Sequence, residues 1–182
     1  VVWASSGQDS GDAAGGQYGV YGQRFTSASS NKLGSEFHVN TKTTNSQYFP
    51  SVAALEDGKF VVVWQSDDET QNLYDIRGQR YKADGTKEGT EFTINTVTSG
   101  DDPSGFGSGG NPNNDAYTFV SHLGSGKFVV AWGSYRNSRW DIYAQRYAAD
   151  GTKEGNEFMV NSYFTSTQQR PCIAHLGSGK FV

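Results

Sequence analysis

Acidic side chains gather in two loop segments whose chemistry suits a calcium ion. The candidates are Asp9, Asp12, Asp67, Asp68 and Glu69. Carboxylate oxygens are ligands that Ca²⁺ prefers. The third copy of this segment carries Arg136, Asn137 and Arg139 instead, which a cation site would not tolerate. A solvated acidic loop is therefore the favoured interpretation, calcium is the alternative, and no other cofactor is expected.

Aromatic side chains near the same loops could stack on sugar rings. Tyr135 and Phe106 are the first candidates, and Asp101 and Asp102 lie close to Phe106 in the chain. Together they define a possible ligand edge. Two further aromatic residues, Tyr18 and Trp140, share a strand face with Val20 and Ile142, so core packing is favoured for them.

The residues that recur in every copy do not form a catalytic constellation. The Gln-Arg dipeptide occurs three times, and a catalytic group rarely needs three copies. Its members are Gln23, Arg24, Gln79, Arg80, Gln145 and Arg146. Bridging between neighbouring sheets is the expected role, since buried polar groups need partners. His122 and His175 are equivalent strand positions with no Asp or Cys at ligand spacing. No nucleophile elbow, zinc motif or phosphate loop is present, and no enzyme is expected.

One apolar motif organises the chain that positions these residues. Gly58-Lys59-Phe60-Val61-Val62-Val63-Trp64 returns at 126–132 with Ala131 in place of Val63, and begins again at 179–182. Trp3, Trp64 and Trp132 mark the copies. Self-similarity at this period indicates a repeat architecture. The predicted repeats are 1–60, 61–128 with a loop insertion at 97–116, and 129–182.

Each repeat contains four strand-like runs separated by short turn signals. The first run is continuously apolar, which predicts a strand covered on both faces. The second alternates, with the small residues Gly22, Gly78 and Ala144 on the apolar face. The predicted fold class is all-β, with three tandem four-stranded antiparallel meanders that resemble propeller blades in size. Two connections vary in length, and both should leave the same sheet edge. A rigid scaffold with one variable edge is a common way to build a binding surface, and free drift of solvated loops is the alternative.

The charge and the single cysteine exclude several classes of partner and linkage. A net charge of -4 gives no basic footprint for nucleic acid. No apolar run reaches the length of a membrane span, so membrane insertion is not expected. Cys172 has no second cysteine with which to form an intrachain disulfide and is expected to be a small buried residue.

The repeats resemble those of very large secreted bacterial proteins of the adhesin and RTX-associated type, and loosely FG-GAP propeller blades. The resemblance rests on Gly-Lys-Phe-Val-Val-Val-Trp, Gly-Gln-Arg-Tyr, Ala-Asp-Gly-Thr and Glu-Phe-Thr-Ile-Asn. It implies an extracellular or cell-surface location and a tandem context. The expected function is a structural or adhesive repeat segment, and a carbohydrate-binding propeller lectin that recognises glycans is the alternative.

The two ends of the chain carry complementary parts of the apolar motif. Gly179-Lys180-Phe181-Val182 followed by Val1-Val2-Trp3 reproduces the central copy. Three repeats are too few for a closed propeller. We therefore expect copies of the chain, or flanking repeats, to follow one another head to tail, with Val182 beside Val1 of the next unit.

Overall fold

A computed structural model describes residues 1–8, 17–27, 31–68, 73–96, 117–136, 139–163 and 165–182, which form an all-β fold. The strands are β1 (Val2–Ser6), β2 (Tyr18–Phe25), β3 (Lys32–His38), β4 (Gln47–Ala54), β5 (Phe60–Asp68), β6 (Leu73–Tyr81), β7 (Lys87–Thr93), β8 (Thr118–Gly124), β9 (Lys127–Arg136), β10 (Arg139–Tyr147), β11 (Lys153–Met159), β12 (His175–Gly177) and β13 (Lys180–Phe181). One 3₁₀ turn, Glu56–Gly58, joins β4 to β5.

The strands form four antiparallel sheets. Sheet I has the order β1-β2-β3, sheet II β4-β5-β6-β7, sheet III β8-β9-β10-β11 and sheet IV β12-β13. The antiparallel all-β class is confirmed. The prediction of three sheets of four strands is wrong, because only sheets II and III have four strands and two smaller sheets flank them.

The difference lies in which strand pairs with the apolar motif. The spacing of the turn signals predicts that the fourth run pairs with the three runs before it. In the structure that run pairs with the motif that follows, as in the β4 to β5 ladder from Gln47↔Ser66 to Ala54↔Phe60. A tight turn at 56–58 makes this pairing local, whereas the longer connection at 39–46 passes from one sheet to the next. Each predicted repeat therefore spans parts of two sheets.

The apolar motif forms the most deeply buried strand of sheets II and III. Val61, Val62, Val63 and Trp64 are all fully buried, which confirms the prediction of a strand covered on both faces. Alternate residues belong to different cores. Val62 and Trp64 pack with sheet I, while Val61 and Val63 pack with sheet III. Burying both faces makes this strand the point at which neighbouring sheets are joined.

Small residues in β2 and β6 make room for an aromatic ring of the neighbouring strand. A Cβ added at Gly78 would lie 2.7 Å from the Phe92 ring, and one at Gly22 would lie 2.6 Å from the Phe37 ring. The same rings contact the next sheet, since Phe37 lies 5.3 Å from the ring of Tyr81. The close neighbour that the small residues predicted is thus a phenylalanine of the adjacent strand.

The exposure of Cys172 and the absence of long apolar helices from the residues that the structure describes bear on two further predictions from the sequence. Cys172 is exposed, so the prediction that it is buried is wrong. It lies in the segment before β12, which has no regular structure. Among the described residues there is no helix long and apolar enough to cross a membrane.

Replacing Trp64 or Trp132 by alanine should destabilise the protein strongly. Both side chains are fully buried, and truncating a large buried aromatic residue costs about 3 to 5 kcal/mol. Urea denaturation followed by circular dichroism measures the loss. Trp3→Ala is the matched control, because Trp3 is the equivalent residue of sheet I but is only partly buried. An equal loss in all three variants would contradict the assigned cores.

Candidate functional site

Most of the calcium candidates lie outside the residues whose side chains are described. This holds for Asp9, Asp12, Asp68 and Glu69. Asp67 lies in β5, and its backbone carbonyl accepts a hydrogen bond from Lys42 Nζ at 2.9 Å. Within the described part of the chain, no group of three or more His, Cys, Asp or Glu side chains gathers as a metal site would require. Calcium binding stays a prediction.

The possible ligand edge is described only in part. Tyr135 is half-buried and packs edge-on against Trp140, with ring centroids 5.8 Å apart. Phe106, Asp101 and Asp102 lie outside the described residues. Tyr18 is 38% exposed, which does not fit its expected place in the core. Trp140 is buried as expected.

The longest copies of the two variable connections, at 9–16 and 97–116, lie outside the described residues. In sheets I and II, the described ends of both kinds of connection meet at one place. The segment at 39–46 follows β3, and its Ser46 Oγ accepts a hydrogen bond from Tyr18 N at 3.2 Å. The Ser46 carbonyl accepts a second bond from Asp67 N at 3.0 Å. Tyr18 follows the connection between β1 and β2, and Asp67 precedes the connection between β5 and β6. One polar edge therefore collects both kinds of connection.

The recurrent glutamines hold an irregularity inside their own sheets. Gln79 Nε2 donates to the carbonyls of Arg80 at 2.9 Å and Gly89 at 3.2 Å. The pairing of β6 with β7 shifts register at this point, so the side chain satisfies carbonyls that the ladder leaves over. Gln23 and Gln145 make the same two bonds in sheets I and III.

Two of the three arginines of the same dipeptides, Arg24 and Arg80, reach toward the next sheet. Arg24 Nη1 donates to the Ala83 carbonyl of sheet II at 2.8 Å. A Cβ at Gly85 would lie 2.7 Å from Arg24 Nε, so glycine in this turn leaves room for the guanidinium. Arg80 takes the equivalent place beside the turn at Gly151 and also forms an ion pair with Glu88 at 2.7 Å. Arg146 of sheet III is exposed.

An asparagine that recurs just after β3, β7 and β11 has a structural role that was not predicted from the sequence. Asn95 Oδ1 accepts a hydrogen bond from Ile76 N at 2.8 Å, and Asn40 and Asn161 accept equivalent bonds from Val20 and Ile142. Each side-chain oxygen accepts the hydrogen bond of a backbone amide that has no partner in the strand ladder beyond the ends of β3, β7 and β11. Their constant offset from the Glu-Phe motif was the signal that could have identified them.

A recurrent glutamate clamps each connection onto the following sheet. Glu91 Oε2 accepts a hydrogen bond from Thr41 N at 2.8 Å. Glu157 Oε2 accepts the equivalent bond from Thr96 N at 3.0 Å. The threonines directly follow the asparagines of the preceding sheet, so one pair of adjacent residues closes its own sheet and binds the next.

A polar pocket lies beside the first of these clamps. It has a volume of about 680 Å³ and is lined by Thr41, Lys42, Arg77, Gln79, Lys87, Gly89, Thr90 and Glu91. Sheet I contributes the connection that follows β3, and sheet II contributes β6 and β7. We name it the I/II pocket. The sequence signal that could have revealed it is the Lys-x-Gly-x-Glu spacing of Lys87, Gly89 and Glu91, which recurs at 32–36 and 153–157.

The equivalent space between sheets II and III is smaller. This II/III pocket has a volume of about 320 Å³ and contains Thr96, Gln145, Lys153, Gly155 and Glu157 at the matching positions. Arg136 enters it, pairs with Glu157, and lies 3.7 Å above the Tyr143 ring. Its volume is thus partly taken up by the protein's own cation.

Burial changes the titration of two groups near the first clamp. Burial lowers the pKa of the Lys87 ammonium, against the opposing effect of the Glu91 carboxylate. Burial also raises the pKa of the Tyr81 hydroxyl, and Glu91 adds to that rise. The Lys87 ammonium and the Glu91 carboxylate thus face each other at the wall of the I/II pocket.

Comparison of the chain with protein-family models, curated proteins and solved structures gives no match.

Replacing Glu88 by glutamine should lower stability near neutral pH and have little effect in acid. Hydrogen bonds from Lys59 and Arg80 hold the pKa of Glu88 below its ordinary value. A lowered native pKa stabilises the fold above the ordinary pKa, and this contribution is lost as the pH falls through the native one. A network of partly exposed ion pairs contributes about 1 kcal/mol. Urea denaturation at about pH 7 and about pH 2 measures both limits.

Glu154→Gln is the matched control for this experiment. Glu154 is the equivalent residue of sheet III and pairs with Lys127 at 2.6 Å. Because Arg146 is exposed there, the loss at neutral pH should be smaller than for Glu88→Gln. A Glu88→Gln loss that is equally large at both pH values would contradict the ionic contribution.

Proposed function

We propose that the chain is an extracellular structural or adhesive repeat segment, whose row of sheets is continued head to tail by copies of the chain or by flanking repeats. The observation that carries this proposal is the recurrence of one sheet-to-sheet interface. The glutamate clamp and the phenylalanine that meets the tyrosine of the next sheet occur between sheets I and II and again between sheets II and III. An interface that repeats along the chain can be extended by further units.

The exposure of equivalent residues supports extension at sheet IV. Leu176 of β12 is 63% exposed, whereas its equivalents Leu55 and Leu123 are 8% and 5% exposed. Val160 is likewise exposed where Val39 and Ile94 are buried. These side chains have the type and position of core residues, and a further sheet would cover them.

An apolar groove between sheet I and β4 of sheet II is complementary to these exposed apolar side chains. It has a volume of about 330 Å³, and its lining includes Val1, Val2, Leu33, Val52 and Ala54. In the core between sheets II and III, Ala53 of β4 and Leu55, which directly follows β4, pack with Val120 of β8. A strand that carries Leu176 from a neighbouring unit would fill the groove in the same way.

The location outside the cell and the adhesive role are supported by the resemblance of the repeat to those of secreted adhesin-type proteins. The proposal gives the chain no catalytic role. It is compatible with glycan binding, because a row of sheets can carry a binding pocket between any two of them.

Leu176→Ser should weaken self-association of the chain without unfolding it. The side chain is exposed, so the isolated fold loses little, whereas burial of a leucine at an interface contributes about 1.5 to 3 kcal/mol. This corresponds to roughly a tenfold to hundredfold weaker association. Sedimentation velocity over a concentration series measures the association.

Tyr18→Ser is the control variant, because Tyr18 is another exposed apolar residue and lies outside both the groove and sheet IV. It should associate like the parent chain. A parent chain that remains monomeric up to its solubility limit would contradict assembly of copies. Equal weakening by the two substitutions would contradict the assigned interface.

A further inference from the structure

The I/II pocket combines cationic groups that the protein neutralises only in part. Arg77 pairs with Asp75 at 3.0 Å. Lys42 Nζ donates to a backbone carbonyl, which carries no charge to balance the ammonium. Lys87 Nζ reaches the Thr41 hydroxyl only at 3.4 Å, and the one carboxylate in the lining is Glu91 among the described residues. Among the described side chains, the three cations Lys42, Arg77 and Lys87 therefore face two carboxylates, Glu91 and the Asp75 partner of Arg77, which leaves one positive charge in excess.

In the II/III pocket, a side chain of the protein itself, Arg136, occupies part of the equivalent space. Lys153 Nζ donates to the Ile94 carbonyl at 2.9 Å, a shorter bond than that of Lys87. Arg136 satisfies Glu157 and covers the Tyr143 ring. In the I/II pocket Arg77 stands at the position of Tyr143, and the volume is about twice as large. The two pockets share a scaffold but differ in the space left for a ligand.

The groups that face the I/II pocket define the chemistry of that ligand. A carboxylate would pair with the Lys87 ammonium and approach the Arg77 guanidinium. Hydroxyl groups would bond to Thr90 and to the Glu91 carboxylate, whose Oε2 already accepts the Thr41 amide. The volume of about 680 Å³ lies within the usual range of ligand pockets, which is about 300 to 1,000 Å³. Neutral sugars lack the carboxylate, and inorganic anions lack the ring hydroxyls.

We propose that the I/II pocket binds an acidic sugar, a pyranose ring that carries one carboxylate and neighbouring hydroxyls, with Lys87 as its main anion partner. The Lys87 side chain is exposed and its ammonium has only a 3.4 Å contact with the Thr41 hydroxyl, so it is accessible to a negatively charged group of the ligand. The inference depends only on the contact between sheets I and II and does not depend on head-to-tail assembly.

Titration calorimetry with glucuronate tests the proposal on the full chain. We expect glucuronate to bind, and glucose and inorganic sulfate to bind at least tenfold more weakly. Lys87→Gln should weaken glucuronate binding at least tenfold, and Lys87→Arg should retain it because the positive charge stays in place. Lys87 is exposed enough for these variants to fold, which circular dichroism verifies.

Lys153→Gln is the matched control, since it removes the equivalent lysine of the II/III pocket. Glucuronate binding should be the same as in the parent chain. Four results would each overturn the proposal: no glucuronate binding, unchanged binding in Lys87→Gln, equal loss in Lys153→Gln, or equal affinity for glucose. Sulfate binding as strong as that of glucuronate would show a simple anion site and would also overturn it.

Discussion

Burial of the apolar motif from both sides is the constraint on which the rest of the structure depends. In β5, neighbouring residues contribute to different cores, so one strand holds sheet I and sheet III at the same time. A sheet covered on one face only would leave half of these side chains in water. At about 25 cal/mol per Å² of apolar surface, this two-sided burial is the dominant favourable contribution to stacking. It also fixes the distance between sheets, and the polar contacts follow from that distance.

The polar contacts between sheets are built at the points where strand ladders end. Asn95 replaces a ladder bond for Ile76 N, and the following residue, Thr96, donates its amide to Glu157 of the next sheet. Buried backbone groups must find partners, and leaving one unsatisfied costs about 1 to 3 kcal/mol. Each asparagine therefore removes a penalty at the end of a strand. The hydrogen bond from the amide of the following threonine to the glutamate aligns one sheet with the next.

The sequence predicted the strands far better than their grouping. Hydrophobic pattern identifies a strand, because alternate burial depends only on local residue types. Pairing depends on which connection is short, and the turn at Glu56–Gly58 gave only a weak signal beside the conspicuous repeat of the tryptophan motif. The register shift at Gly78 and Arg80 was likewise hidden, since a bulge changes no hydrophobic pattern. For this reason the structural role of Gln79 within its own sheet was not predicted.

The I/II pocket could not be recognised in the sequence for a related physical reason. Acidic and aromatic residues are conspicuous in the variable loops, most of which lie outside the described residues, whereas the I/II pocket is lined by repeated residues that look like scaffold. Gln79, Lys87 and Glu91 have close counterparts in Gln145, Lys153 and Glu157, and repetition alone argues against a special site.

The two pockets differ at two positions next to these shared residues. Arg77 replaces Tyr143 in the I/II pocket, and Asp68, whose side chain is not among those described, stands at the position of Arg136. Such substitutions alter charge and volume without touching the glutamate clamp or the two-sided core. A stacked-sheet scaffold can therefore acquire a binding pocket at one interface while its other interfaces remain structural, because the residues that hold the sheets together are separate from those that fill the space between them.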